Sequence, residues 1–442
     1  MNEEAELNTL HNEIAQQKKA REDEQARHKL ELVDVTRKMQ QERQRKHTHI
    51  KKAEKAEKQA KVGVMRIRRL TLELNKAQSY RYGSHTPGQG NWEKRWDQKS
   101  GRRVLLYALS DFSGSFFKWA DAINRHTDYA ARLVTFNLHP FGYSDDLLLP
   151  FPDLLERCDI DGLADEADII HIKDETGFFT GKNRLPKDMF TNHRKPMVFT
   201  AYGGYMRKFA DNPEFQDYVS TFDARIAMTP DLAYDWFNGN FIPHAIDTDL
   251  YPYTWTDGNL IAHSPSQKDR KGTDKLIDAM EGLDLEFDLI HGVSHGECMQ
   301  RKQLCNLFFD QAGTEIENKM GISTVIGWYG NSALESAVFG IPTIAHLSEH
   351  AFAGARSAGR DIENKCAIIN TSLGTEGIRK TLQEHLAMTP DDRKTLSMKT
   401  RKWMEDFHSY KACADELVKV YGSLLNLNVE QKADINNINL NL

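Results

Sequence analysis

Three short stretches of this 442-residue chain place cations, amide-rich turns and a carboxylate where an anionic ligand could be held. The first, SDFSGS (110–115), joins an apolar run to a helical one. Ser113 and Gly114 sit at that turn, where a glycine lets backbone approach a ligand and a helix start favours an anion. The three-glycine dinucleotide pattern is absent there. The second, KDRKGTD (268–274), sets Lys268, Arg270 and Lys271 beside Gly272, just past a strand and before a helix. Cations next to free N–H groups suit a diphosphate. The third is GWYGNSALESAVFGIP (327–342), in which Gly330, Asn331 and Ser332 open a helix and Glu335 follows one turn in. Those amides can hold phosphate oxygens, and a carboxylate is a two-lobed acceptor for the hydroxyls of a ribose. The bland alternatives are a tight turn at Gly114, a charged surface loop at 268–274 and a capping carboxylate at Glu335. His291 and His295 have zinc-like spacing, with Cys298 and Cys305 nearby. Gly292 and Gly296 interrupt the helix such a site needs, so no metal is expected.

The elements that must position these residues form an alternating pattern. VLLYAL (104–109), ARLVTFNL (131–138), ADIIHI (167–172), PMVFTAY (196–202) and ARIAMT (224–229) are short, continuously apolar and followed by turn chemistry. Strands of a buried parallel sheet have this character. The pattern restarts after a break near 251–258. NLIAHS (259–264) and LEFDLIHG (285–292) are expected strands, KGTDKLIDAMEGL a helix capped by Thr273 and Asp274, and GECMQRKQLCNLFF (296–309) a helix. NSALESAVFG is expected as a short helix before the strand PTIAHL (342–347). The fold class expected is α/β, with two Rossmann-like domains behind a long N-terminal helix or coiled coil. The domains predicted are 1–80 (charged helix), 81–101 (linker), 102–250, 251–395, a helix at 396–425 crossing back to the first domain, and a polar tail at 426–442.

Charge is divided unevenly. Residues 1–100 carry a net +8 and the remainder −14, within an overall −6. Residues 1–79 hold no aromatic residue and no proline, with Gly63 the lone glycine, a composition that favours helix but cannot bury a core. Within 37–81 there are 15 Lys and Arg against 4 Glu. That segment is either a basic arm for a polyanion or a solvated stalk, and 1–80 could also pair two copies. No run of about 18 apolar residues occurs and no apolar leader is present, so a cytoplasmic protein is expected, or host cytoplasm if viral. Five scattered cysteines fit a reducing compartment.

The ordered set NFIPHAIDTDLY, HSPS…RKGTDKLIDAM, DLIHGVSH, LFFDQ and GWYGNSALESAVFGIPTIA resembles the GT-B glycosyltransferases of the family-4 type, over roughly 102–425. The resemblance implies an active cleft between two domains. It also implies a nucleotide-sugar donor held mainly by the second domain, transfer with retention, and no required metal or other cofactor. Carried over by position, Lys271 pairs with the donor diphosphate, with Lys268 or Arg270 standing in for the family's arginine. Gly272, Gly330, Asn331 and Ser332 then line the phosphates, Glu335 holds the ribose, and Asp310 and Gln311 lie near the nucleotide. The family's first glutamate is missing, since Gly327 occupies its place. Tyr202 stands where relatives have a histidine, and His171 is the alternative cleft histidine. Acceptor contacts are expected from Ser113, Gly114, Tyr202 and Gly203. The acceptor is expected to be a glycan or lipid-linked precursor or a hydroxylated DNA base. Two other readings compete: a nucleotide-sugar epimerase, and a non-catalytic assembly protein.

Overall fold

The computed structural model describes residues 101–137, 143–148, 160–173, 190–317 and 323–439, together with Lys19 and Trp96. The expected N-terminal helix, its basic segment and nearly all of the linker lie outside the described residues. The chain divides into two units after Arg81, and both large sheets lie in the second, Tyr82–Leu442.

The first sheet contains β1 (Arg103–Ser110), β2 (Ala130–Asn137), β3 (Leu147–Leu148), β4 (Ile169–Lys173), β5 (Met197–Ala201), β6 (Ala224–Ala227) and β7 (Asn240–Phe241). Every pairing is parallel and the order is β3-β2-β1-β4-β5-β6-β7. Its helices are α1 (Ser115–His126), α2 (Ile160–Glu166), α3 (Gly203–Phe209) and α4 (Pro213–Ser220). Val104 to Ala108 are all buried, as a central strand covered on both faces requires.

The second sheet has the order β14-β13-β10-β8-β9, again all parallel. Its strands are β8 (Leu260–His263), β9 (Glu286–Leu289), β10 (Leu307–Gln311), β13 (Thr343–Ala345) and β14 (Ile369–Asn370). An antiparallel hairpin, β11 (Thr314–Glu317) with β12 (Ser323–Ile326), rises from the end of β10. The helices are α5 (Lys268–Lys271), α6 (Thr273–Met280), α7 (His295–Lys302), α8 (Asn331–Ala337), α9 (Glu349–Ser357), α10 (Gly374–Leu386) and α11 (Pro390–Trp403). A π-turn at Met404–His408 leads into α12 (Tyr410–Asn439).

Three local expectations change. The single helix expected over 296–309 stops at Lys302, and Leu307–Gln311 is the central strand of the second sheet. The helix expected from Lys271 is broken at Gly272, which has φ +74° and separates α5 from α6. A Cβ there would lie 2.5 Å from that of Ala312, so both conformation and space demand glycine. Thr273 is not a cap: α6 has no side-chain cap, and the Thr273 hydroxyl meets His263 Nε2 at 2.9 Å.

The chain crosses between the sheets twice at nearly one place. Outbound, residues 242–247 run alongside the returning 408–410, with Ile246 N donating to His408 O at 2.8 Å. His408 Nδ1 meets His244 O at 2.7 Å. The return crossing falls at 404–410, and α12 continues to Asn439 instead of ending at 425. Tyr410, Cys413, Leu417, Tyr421 and Leu424 of α12 are buried in the same core as Phe116, Trp119 and Ile123 of α1.

Candidate functional site

Each parallel sheet has a point where strand order reverses, between β1 and β4 in the first and between β8 and β10 in the second. Loops at the carboxyl ends of such strands diverge and leave a crevice. Charged residues stand at those strand ends in both sheets. Asp111 follows β1 and Lys173 ends β4, with Lys173 Nζ 2.8 Å from Asp111 Oδ1. Asp111 also accepts from the backbone N–H groups of Phe116 (2.9 Å) and Phe117 (2.8 Å). The first turn of α1 is therefore capped by the protein's own carboxylate. Ser113 and Gly114 occupy left-handed conformations, with φ of 59° and 61°. Such a conformation at Ser113 costs on the order of 1 kcal/mol or more. Tyr202 lies over Lys173, whose Nζ is 4.1 Å from the ring centroid, and its hydroxyl donates to Phe112 O at 3.1 Å. Gly203, with φ 63°, has open space about it.

In the second domain Asp310, next to last in β10, joins two loops. Lys271 Nζ donates to its Oδ1 and the Gly330 N–H to its Oδ2, both at 2.8 Å. Gln311 donates from Nε2 to the carbonyl of Trp328. These bonds hold the 268–272 turn beside the start of α8. Lys268 and Arg270 lie on the exposed side of α5, where Arg270 donates to Gln267. Ser332 Oγ meets both Ser264 O (3.2 Å) and Lys302 Nζ (3.0 Å).

Glu335 is the meeting point of both domains. Its Oε2 accepts from Lys302 Nζ at 2.7 Å, and its Oε1 from Tyr143 Oη at 2.7 Å and His295 Nε2 at 3.2 Å. Burial alone would raise this carboxyl. Lys302, helped by His295 and Lys118, outweighs it and holds Glu335 well below its ordinary value of 4.5. Tyr143 is pushed well above a normal phenol, first by burial and then by Glu335, and so donates as a neutral hydroxyl. Its ring packs on His295 with centroids 4.2 Å apart. Beside them Asn331 Nδ2 reaches Ser115 Oγ and His244 Nδ1, each at 3.3 Å. Burial, then Lys118, drives His244 well below the usual histidine range, so it is neutral.

The structure thus brings together Lys271, Gly272, Asp310, Gln311, Gly330, Asn331, Ser332 and Glu335 beyond the strand ends of the second sheet and places Ser113, Gly114 and Tyr202 beyond those of the first. His171 belongs to neither. It is fully buried, with Nδ1 2.7 Å from Tyr421 Oη and Nε2 against Thr200 Oγ1. Burial lowers its pKa to about 3, and it packs the first sheet against α12. His291 and His295 part company: His291 meets Pro265 O at 2.9 Å while His295 faces Glu335. Sequence reasoning missed Asp111, Lys118, Tyr143, Lys173, His244 and Lys302. Asp111 and Lys173 carried a usable signal, since each is a charged residue at the end of a buried strand. Lys302 carried none, because a lysine in an amphipathic helix looks solvated.

No protein-family model and no curated sequence matches the chain. Among solved structures, HepE of Anabaena, in complex with UDP, matches with a TM-score of 0.50 at 12% identity, over 73% of this chain and 100% of that one. An alpha-glucosyltransferase in complex with UDP-glucose and DNA containing an abasic site matches with a TM-score of 0.50 at 10% identity, over 72% and 98%. The fold is GT-B. Its two Rossmann-like domains are the two sheets, with Glu335, Asn331 and Tyr143 at their junction. In this GT-B chain, among the described residues, no helix is long and apolar enough to cross a membrane. Among the same residues no three His, Cys, Asp or Glu side chains converge as a metal site would need.

Proposed function

We propose that this chain is a glycosyltransferase that moves a sugar from a nucleoside diphosphate sugar to an acceptor hydroxyl in the cleft, with retention and without a required metal. The observation that carries the reading is the pairing of Lys271 and the Gly330 amide on Asp310, one helical turn from Glu335. Cleaving the anomeric C–O bond leaves negative charge on the departing diphosphate. Preorganised cations and amides aimed at that charge, in a site closed to water, supply the main stabilisation of the transition state. Lys271 and the 330–332 turn have the chemistry for this role, and Glu335 that of a ribose acceptor. UDP is the donor nucleotide favoured, because HepE and the alpha-glucosyltransferase were both solved with uridine nucleotides.

For the acceptor, a DNA base bearing a hydroxyl is favoured over a lipid-linked glycan. The alpha-glucosyltransferase complex contains DNA, and residues 37–81 are strongly basic. Binding through such an arm weakens steeply with salt.

Thermal unfolding with UDP, GDP, ADP, CMP and dTDP, each with and without EDTA, tests the donor reading. A ligand at 100 times its Kd adds about 2.7 kcal/mol to the native state. A shift confined to one nucleotide and unchanged by EDTA supports the proposal. No shift with any nucleotide would turn attention to an assembly role. NMR of the product's anomeric proton then tests retention. Deleting residues 1–81 tests the arm: DNA binding should lose its salt dependence while nucleotide binding is kept.

A further inference from the structure

Among the described residues, three of the four lysines around these strand ends are each committed to a buried carboxylate. Lys173 is 2.8 Å from Asp111, Lys271 is 2.8 Å from Asp310 and Lys302 is 2.7 Å from Glu335. Each pair is close to neutral as a unit, so together they bring little net charge to an incoming dianion. Lys118, one turn into α1, is different. Among the described residues no carboxylate lies within ion-pair distance of its ammonium, which is 5.5 Å from the Tyr143 ring centroid, the ring whose hydroxyl donates to Glu335. It is only partly exposed. Lys268 and Arg270, the stand-ins expected from sequence for a second phosphate cation, point to solvent from α5.

We propose that Lys118, delivered by the first domain, is the second cation that binds the donor diphosphate opposite Lys271. This rests on the reading of the chain as a user of nucleoside diphosphate sugars. The groups facing the Lys118 ammonium are Tyr143, Asp111 and His244 of its own domain, and Glu335 and Lys302 of the other. Burial lowers the Lys118 pKa more than Glu335 and Asp111 restore it. An ammonium in that position is under-compensated until an anion arrives, and the anion gains from a charge that no carboxylate already cancels. Lys118 also links nucleotide binding to the approach of the two domains, because Lys271 and Lys118 belong to different sheets.

The test is calorimetric titration of UDP, and of uridine as its phosphate-free counterpart, into the full chain and its K118M and K118R variants. K118M should weaken UDP binding roughly tenfold or more, the loss expected of one charge-assisted contact, and leave uridine unchanged. K118R should recover most of the affinity. Without ligand, K118M should melt no lower than the parent chain, which separates lost binding from lost folding. Equal UDP affinity in K118M and the parent would overturn the proposal for Lys118 while leaving the donor reading in place. A parent chain that binds neither UDP nor any other nucleoside diphosphate would overturn both.

Discussion

Lys302 Nζ lies 2.7 Å from Glu335 Oε2, and neither side chain reaches solvent: Lys302 is 0% exposed and Glu335 3%. The ammonium's remaining donors meet the Ser332 carbonyl and hydroxyl, both at 3.0 Å. Removing one partner of such a pair strands the other, at a cost of about 3–5 kcal/mol. Lys302→Met is expected to destabilise the fold by about that much, and Glu335→Gln added to it should restore most of the loss. Urea denaturation of the two single variants and the double closes the cycle. Additive effects would mean the pair is not coupled. In acid the sign is fixed by the depressed Glu335 value: its contribution is complete above 4.5 and is lost as pH falls toward the folded-state value.

Lys271→Ala should lower UDP affinity by about 10–100-fold, on the scale of one or two charge-assisted contacts. It should also cost about 1–3 kcal/mol of stability, because Asp310, 2% exposed, loses its cation. Asp310→Asn in the Lys271→Ala background separates the two effects. Stability should return and UDP binding should not. If UDP affinity returned with stability, Lys271 would be acting through the fold alone.

Gly272→Ala and Gly359→Ala form a matched pair. Both glycines are left-handed, with φ of +74° and +71°, but a Cβ at 272 would sit 2.5 Å from the Ala312 Cβ while nothing lies within 4 Å at 359. The 359 variant should lose about 1–2 kcal/mol for the backbone alone. The 272 variant should lose about 1–3 kcal/mol more for overpacking. Similar urea midpoints for the two would contradict the packing argument.

Acid should unfold this protein through its histidines before its carboxylates. Burial holds His171 at about 3 and His263, His385 and His408 at about 4, against an ordinary 6.5. A depressed histidine favours the fold fully above 6.5 and loses that contribution as pH falls through the window down to its folded value. Each such group steepens the loss by up to about 1.4 kcal/mol per pH unit. Unfolding midpoints at pH 7.5 and 5.5 should therefore differ markedly, and His171→Gln should reduce the difference. The same variant should leave UDP affinity unchanged. A flat stability profile between those two pH values would refute the burial of the histidines.

Much of the frame was legible in the sequence. Val104–Leu109 and the runs near 169–173 and 197–201 are apolar, β-branched and bounded by turns, and each is a strand within one or two residues. The charged and glycine-rich turns at 268–272 and 330–332 lie beside strand ends, as their spacing suggested. The strand at 307–311 was hidden inside a helix because a three-residue apolar run has no period of its own. His171 misled because a histidine at the end of an apolar strand looks the same whether it faces a cleft or a packed helix. Its partner, Tyr421, lies 250 residues away. Tyr143 and Lys302 were missed for that same reason: they reach Glu335 only through tertiary pairing, and Lys118 comes near it only in the folded chain, which leaves no local trace.

The placement of α12 has a consequence for how the chain is made. Leu417, Tyr421 and Leu424 of α12, which follow the whole second sheet in sequence, complete the core built on Phe116, Trp119 and Ile123 near the start of the first sheet. A ribosome delivers α1 some 300 residues before α12. The second sheet can close around its own helices while the chain is still being synthesised, but the first domain waits with an apolar face uncovered. The domain that begins first in sequence is then the last to be finished, and during elongation that face is the one most open to chaperones and to mispairing.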